Sequence, residues 1–286
     1  MKWINLHEEE FEKAIERSGD VCVMPIGCIE KHAQHLPLGT DIKIAEAVAE
    51  LAAEEEEVCI FPTFQFGEIA GIRQHHGSVI LPPKLQVEIL ETLCDEIARN
   101  GFKKIILLNG HGGNCAMLDF LVNSVIYKKR DYVVTFRHAF DHSLDDVLRD
   151  LENGEEYPEL TEEDVALIRD FVTNGKLGGH ADFEETAALL AVAPECVNLD
   201  RADAESGERT HATDEYAKWG LDKPTRFWYL EYPNHYAGAH PTGVNDRIGH
   251  ALLRKWVARQ VGAVRLMKQD DTLLNLTRKW QDNWVE

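Results

Sequence analysis

Short apolar runs alternate with longer amphipathic segments over the first 140 residues of the chain. Runs of strand length occupy residues 21–26, 58–64, 104–108 and 132–136, with a further short strand possible at 78–81. Apolar residues at helical spacing mark residues 8–18, 42–56, 85–99 and 116–127. This alternation predicts an α/β fold of three layers, with a mainly parallel central sheet flanked by helices.

The second half of the chain begins with a change of character. Residues 141–178 are acidic and lack strand-like runs, so we interpret them as an insertion, either a helical hairpin or a lid. A helix is predicted to start near Phe183 and a long one to span 246–267, with a segment rich in Trp, Tyr and His between them. Because there is no internal repeat or clear linker, we expect residues 1–286 to form a single domain.

Composition narrows the possible partners and location. Acidic residues outnumber basic ones by 50 to 30, giving a formal charge of −20 without a basic stripe, which makes nucleic acid an unexpected partner. The first residues do not resemble a signal peptide, and no apolar run is long enough to span a bilayer. Six scattered cysteines without a paired motif favour reduced thiols, so we expect a cytoplasmic protein.

The most informative polar cluster follows the first apolar run. Glu30, His32, His35 and Asp41 lie within twelve residues of one another. In extended backbone Glu30 and His32 would point the same way, and the chain could return to bring Asp41 back to them. Carboxylates with an imidazole are ligands for zinc, manganese or iron, so this cluster predicts a metal site. A polar loop without a ligand is the alternative.

Two later motifs contain histidine beside glycine. NGHGGN (109–114) follows a predicted strand, so His111 could reach the same site, since parallel strands present their carboxyl ends at one edge of a sheet. A phosphate-binding loop or a simple glycine turn are the alternatives. In GGHADFEET (178–186), Glu185 lies in the first turn of a helix, and Glu184 points about 100° away. An exposed helix-capping Glu pair is the alternative there.

Taken together, these three segments resemble the creatininase family. Its pattern is PxGSxEQHGPHLPLGTD, then NGH, then HAGxxET, and this chain has PIGCIEKHAQHLPLGTD, NGHGGN and HADFEET in the same order. The resemblance covers roughly residues 20–260. It implies a layered α/β hydrolase that acts on a small-molecule substrate with two divalent metal ions, usually zinc with manganese or iron. It also implies a homo-oligomer, often a hexamer.

The resemblance also implies roles for individual residues. Glu30, His32, Asp41 and His111 take metal-ligand positions, with Asp41 as the bridge between the ions. Creatininase itself has a ligand glutamate where this chain has Gly113, and Glu185 is expected to replace it. Creatinine is therefore not the expected substrate.

Other departures from the pattern concern the pocket. Cys28 and Lys31 replace a serine and a glutamine of the family pattern. Where the family often has EHxxFPGT, this chain has IRQHHGS, so Arg73, His75 and His76 are predicted to give the substrate pocket a basic wall. A surface location for the two histidines is the alternative.

The implied reaction is hydrolysis at a carbonyl. Two divalent ions would activate a water for attack, and His180 would pass the proton to the leaving group. The family precedents are opening of a cyclic amide, removal of a formyl group, and hydrolytic C–C cleavage of a carbocyclic dehydro-inosose. A non-catalytic metal- or nucleotide-binding protein is the alternative from another class, and a single-zinc hydrolase remains open.

Overall fold

The computed structural model describes residues 1–141, 143–174, 178–221 and 226–285. Its strands are β1 (Val21–Ile26), β2 (Cys59–Ile60), β3 (Lys104–Asn109) and β4 (Val133–His138). They form a parallel sheet in the order β2-β1-β3-β4. The prediction of an α/β fold with a parallel sheet is therefore confirmed.

Helices make up most of the regular secondary structure in the described ranges. They are α1 (Phe11–Ser18), α2 (Thr40–Glu55), α3 (Pro83–Arg99), α4 (Cys115–Ser124), α5 (Leu144–Glu152), α6 (Glu162–Thr173), α7 (Phe183–Val192), α8 (Asp214–Ala217), α9 (Arg226–Glu231), α10 (Asp246–Gln269) and α11 (Thr272–Gln281). None of the helices in the described ranges is long and apolar enough to cross a membrane.

Successive side chains of each buried strand point to opposite faces of the sheet, and this alternation produces the three layers. Val21 and Val23 of β1 pack on one face of the sheet in a core shared with α2, α7 and α10. Cys22 and Met24 point to the opposite face and pack with α3 and α4. Because successive side chains of a strand face opposite ways, a wholly apolar strand requires a helical layer on each side.

Some predicted boundaries are wrong. Residues 78–81 do not form a strand, although Val79 N–H donates to the Ile29 carbonyl at 3.0 Å. The second strand is confined to Cys59–Ile60 instead of 58–64. Pro25 of β1 has no amide hydrogen to donate to it, and pairing resumes only at Phe64, which bridges to Ile26. Helix α11, which contacts β4, was not predicted.

The acidic segment 141–178 contributes apolar side chains to the main core. Positions 142 and 175–177 lie outside the described residues, and the rest contains α5 and α6. Leu144, Val147, Ile168 and Phe171 are buried in the core that α7 and α10 share. This packing supports our interpretation of a single domain.

Strand register places two of the polar motifs side by side. Ile26, the last residue of β1, pairs with Asn109, the last residue of β3. Gly110 N–H then donates to the Ile26 carbonyl at 2.7 Å. The segments that follow β1 and β3 therefore leave the same edge of the sheet next to each other.

Candidate metal centre

The loop after β1 folds back on itself. Glu30 N–H donates to the Leu38 carbonyl at 3.0 Å, and His32 pairs with Leu36 in an isolated antiparallel bridge. This return brings Asp41, the second residue of α2, beside His32. Glu30, His32 and Asp41 are 1%, 0% and 2% exposed. Polar groups so deeply buried need strong compensating contacts.

Asp41 lies between imidazoles from two different loops. Its Oδ1 is 3.0 Å from His32 Nε2, and its Oδ2 is 2.8 Å from His111 Nδ1. Cys28 Sγ donates to the same Oδ2 at 3.0 Å, and His111 Nδ1 is also 3.0 Å from Glu30 Oε1. The sheet edge thus gathers residues that are far apart in sequence around one carboxylate.

Three imidazoles at the site are each fixed by a backbone carbonyl on their far side. The contacts join His32 Nδ1 to Glu30 O (3.2 Å), His111 Nε2 to Glu68 O (2.9 Å) and His180 Nε2 to Lys31 O (2.8 Å). A carbonyl only accepts, so each far nitrogen carries the proton and the near nitrogen faces the carboxylates. Such outer hydrogen bonds are typical of metal-ligating histidines, because they fix the tautomer and the ring direction.

The two glutamates that begin α7 point to different places. Glu185 Oε2 is 3.7 Å from His32 Nε2. Glu184 is 9% exposed, and its carboxylate accepts the N–H groups of Leu144 and Gly178 at 2.7 and 3.2 Å. Glu184 therefore binds the N-terminus of α5, away from the imidazoles. The alternative of an exposed helix-capping Glu pair is wrong for this residue.

His180 lies beside the carboxylates without pairing closely with one. Its backbone forms two hydrogen bonds with Ala237, at 2.8 and 2.9 Å. Its Nδ1 is 3.8 Å from Glu30 Oε1, and its ring centroid is 4.1 Å from that of His32. This nitrogen can face a molecule in the adjoining cavity.

The buried charges divide the histidines into two kinds. Burial lowers the pKa of His32, but the nearby carboxylates, Asp41 first, together outweigh burial and raise that pKa to about 9. Burial, and then the charge of His32, lower the pKa of His180 to about 3. Burial raises the pKa of Glu185 to about 7. The carboxylates thus favour positive charge near His32, while His180 stays neutral.

Left-handed backbone supports the site at three non-glycine residues. The φ angles are 49° at Ala33, 55° at Ala181 and 53° at His235. Ala181 N–H donates to Glu185 Oε2 at 2.6 Å, and Ala33 N–H donates to the His235 carbonyl at 3.1 Å. Such conformations cost about 1–3 kcal/mol each and persist where surrounding contacts hold them. Their concentration here is typical of a functional site.

A cavity of about 370 Å³ opens onto these residues. It is lined by the predicted Glu30, His111, His180 and Glu185, and by His235 and the aromatic residues Phe140, Trp228 and Tyr229. Sequence reasoning did not single out these last four residues. The density of aromatic residues and histidine between 226 and 240 was the only signal that pointed to three of them. No Lys or Arg belongs to the described lining.

The residues predicted to bind substrate lie outside that lining. Arg73 and His76 are exposed, and His75 is partly buried. His75 Nε2 is 3.1 Å from the Pro233 carbonyl, and its ring lies 5.8 Å from that of His235. Their role in substrate binding stays a prediction.

Hydrogen bonds within the NGHGGN segment fix His111, and the packing leaves no room for a side chain at position 113. A Cβ added to Gly113 would lie 2.4 Å from His111 Nε2 and 2.8 Å from the Glu68 carbonyl. Asn109 Oδ1 accepts His111 N–H at 3.1 Å, and Asn114 Oδ1 accepts Glu68 N–H at 2.7 Å. A glutamate ligand at position 113 would therefore displace the histidine beside it.

The donor set fits divalent cations. Three groups of described residues bring possible ligand atoms within 4.8 Å of one another: Cys28, Glu30, Asp41 and His111; Glu30, His180 and His235; and His32, His180 and Glu185. Glu30 Oε1 is buried and receives no hydrogen bond of acceptable geometry, although His111 is close. A buried carboxylate oxygen without a donor is costly, and a bound cation would satisfy it.

Comparison with known proteins identifies related chains. The creatininase family model, described as creatinine amidohydrolase, matches residues 5–264. Creatinine amidohydrolase of Pseudomonas putida is 25% identical over 201 residues, covering 68% of this chain and 72% of that protein. The mycofactocin precursor peptide peptidase of Mycolicibacterium smegmatis is 32% identical over 118 residues, covering 38% of this chain and 46% of that protein. The 3-dehydro-scyllo-inosose hydrolase of Thermotoga maritima is 24% identical over 191 residues, covering 64% and 53%.

Solved structures share the fold. A creatinine amidohydrolase (creatininase) structure aligns with a TM-score of 0.65 and 20% identity, covering 92% of this chain and 96% of that one. A zinc–zinc form of a mutant creatininase gives 0.67 and 19%, with coverage of 92% and 96%. A manganese form gives 0.66 and 19%, with coverage of 92% and 97%. The layered architecture is therefore common to these proteins.

Proposed function

The chain belongs to the creatininase family of metal-dependent hydrolases, and we propose that it uses two divalent ions to hydrolyse a small substrate. The family resemblance predicted from the three motifs is thereby confirmed. The proposed reaction is attack by an activated water on the carbonyl of a small cyclic amide or formamide. Zinc together with manganese or iron is the proposed metal content.

One observation carries the two-metal proposal. The two carboxylate oxygens of Asp41 face different imidazoles, at 3.0 Å for His32 and 2.8 Å for His111. A carboxylate that binds a single ion would need an imidazole ligand of that ion beside only one of its oxygens. This arrangement supports Asp41 as the residue shared by two ions.

The remaining ligands divide between the two sides of Asp41. Glu30 and His111 would hold one ion, and His32 and Glu185 would hold the other. When bound, such ions lower the pKa of a coordinated water and polarise a substrate carbonyl. Gly113 cannot supply the glutamate ligand found in creatininase, which supports Glu185 in that role.

His180 is suited to carry a proton. His180 Nε2–H donates a hydrogen bond to the Lys31 carbonyl at 2.8 Å, so Nδ1 remains available to take a proton and pass it to a leaving group. His180 also lines the cavity, so a substrate bound there would lie within its reach. A neutral imidazole beside buried carboxylates is the form that this task requires.

The cavity supports a small, uncharged substrate. Phe140, Trp228 and Tyr229 form an aromatic wall, and no Lys or Arg belongs to its described lining. Phosphate recognition usually uses such cations. Ring opening of a dehydro-inosose is the alternative reaction. The match to the Thermotoga inosose hydrolase, which covers 64% of this chain, supports this alternative.

The non-catalytic alternative is less well supported. A structural metal site is normally closed, whereas several of the ligand candidates here line an open cavity. We further propose a homo-oligomer, with the hexamer as the family precedent. We also propose a cytoplasmic location, for which the six cysteines without a disulfide provide support.

Metal analysis and a substrate screen test this proposal together. Protein purified without chelator should contain up to two divalent ions per chain, and chelation should abolish activity that added zinc or manganese restores. Creatinine, formamides, lactams and inososes form the substrate panel, and a chelated sample is the matched control. A fully active protein free of divalent metal would contradict the proposal.

A further inference from the structure

A histidine far along the chain contacts the carboxylate of Glu30. His235 Nε2 is 2.7 Å from Glu30 Oε2, although 205 residues separate the two. His235 and Glu30 are each 1% exposed. Because an ionised carboxylate only accepts, His235 must donate this hydrogen bond.

The position of His235 is held by several independent contacts. Its backbone is left-handed, with φ of 53°, and its N–H donates to the Tyr232 carbonyl at 2.9 Å. Its ring stacks on that of Tyr229, with centroids 5.7 Å apart and an angle of 5° between planes. Trp228 packs edge-on at 5.0 Å. The loop thus keeps an unfavourable backbone conformation and a fixed ring direction.

A second set of contacts joins the His235 loop to the loop that carries Glu30. Ala33 N–H donates to the His235 carbonyl at 3.1 Å, and Lys31 Nζ donates to the Asn234 carbonyl. Both donors lie within three residues of Glu30. The hydrogen bond from His235 to Glu30 is therefore part of a preformed junction.

We propose that His235 is a positioning residue that orients Glu30 for metal binding, an inference that rests on the proposed function. The terminal torsion of a glutamate is broad, so its two oxygens can rotate unless one is fixed. His235 occupies Oε2, while Oε1 receives no hydrogen bond of acceptable geometry and lies 3.0 Å from His111 Nδ1. Because His235 fixes Oε2, the Oε1 atom is directed to the position where it can bind the cation.

Metal affinity of the folded protein, measured without any substrate, tests this role. Zn²⁺ and Mn²⁺ binding would be measured by chelator competition, with circular dichroism reporting the metal-free fold. His235→Ala should weaken one of the two binding events about 10- to 100-fold, the range for loss of an outer partner of a ligand. The second event should change little.

Two conservative variants separate hydrogen bonding from backbone strain. In His235→Gln the amide nitrogen can reach the place of Nε2, so affinity should return close to that of the parent. In His235→Asn the amide is too short, although asparagine accepts left-handed backbone more readily than glutamine. Recovery by Gln and not by Asn is the expected result.

His35→Ala is the control for general loosening of the buried site. The sequence grouped His35 with Glu30, but the structure places it outside the candidate ligand groups. It is also 1% exposed, and its ring contacts Thr186 at 3.1 Å and no carboxylate among the described residues. The proposal is overturned if this control loses as much affinity as His235→Ala, or if His235→Ala binds as the parent does. Equal losses in the Ala and Gln variants, matching Glu30→Gln, would make His235 a ligand and also overturn it. A parent protein that binds neither metal would refute the proposed function itself.

Discussion

Replacing Asp41 with asparagine tests the centre most directly. The substitution keeps the volume of the buried side chain but removes its charge and one of its two acceptor oxygens. Because Oδ1 faces His32 and Oδ2 faces His111, the change acts on both sides of the site. Asp41→Asn should therefore lose both ions together, whereas Glu30→Gln and Glu185→Gln should each weaken one.

The expected losses of metal affinity and of stability follow from the contacts of Asp41. Loss of an outer partner of a ligand costs about 10- to 100-fold in affinity, and loss of a ligand oxygen should cost at least that much at each ion. Each tenfold loss is about 1.4 kcal/mol, so the two sites together should lose at least roughly 3–6 kcal/mol of binding free energy. The metal-free protein should lose about 1.5–3 kcal/mol of stability, because one charge-assisted hydrogen bond disappears.

The assay is metal content after dialysis against a fixed metal buffer, together with thermal unfolding of metal-free samples. Glu30→Gln and Glu185→Gln serve as the matched single-site controls. Two retained ions in Asp41→Asn, or a loss confined to one ion, would falsify the bridging assignment. If Glu30→Gln or Glu185→Gln loses both ions equally, binding of the two ions is cooperative. The variants must then be compared by their affinity for each ion.

Three further outcomes are expected. His180→Ala should keep its ions but lose about 10²- to 10⁴-fold in kcat, whereas Glu185→Gln should lose affinity and regain activity with added metal; the opposite pattern would exchange their roles. Because Gly113 has no room for a ligand side chain, creatinine should be a poor substrate, and turnover on the order of 1 per second would contradict this. Hydrogen bonds from Arg247 hold the pKa of Asp164 below its usual range, although burial opposes them. The carboxylate therefore stabilises the fold fully above the unfolded-state pKa of about 3.9, and this contribution is lost as the pH falls through the lower folded-state pKa. Asp164→Asn should lower Tm at neutral pH and much less near about pH 2, where an equal drop would refute the argument.

The sequence predicted the architecture because strand and helix periods are local. Residues 21–26 and 105–108 are apolar throughout, and a strand apolar on both faces needs helices on both sides of its sheet. Boundaries were less well predicted where one residue interrupts a pattern. Pro25 of β1 interrupts the pairing with the second strand, because a ladder needs an amide hydrogen that proline lacks.

Spacing within each motif also named most of the residues now found around Asp41. Glu30, His32 and Asp41 come from one short segment, and its turn is determined by nearby backbone hydrogen bonds such as Glu30 N–H to the Leu38 carbonyl. Helical geometry indicated that only one of Glu184 and Glu185 faces the site, and the family resemblance selected Glu185. Short-range periodicity can specify such relations because the intervening chain is too short to vary much.

Only the tertiary structure brought His235, Trp228 and Tyr229 to the site. Their segment lies about 200 residues from Glu30 in sequence, and its left-handed turn at His235 is held by contacts with distant residues. The tertiary structure also directed Glu184 to the N-terminus of α5 and left Arg73 and His76 exposed. Such placements depend on how whole elements pack, and packing of distant elements has no period in the sequence from which it could be predicted.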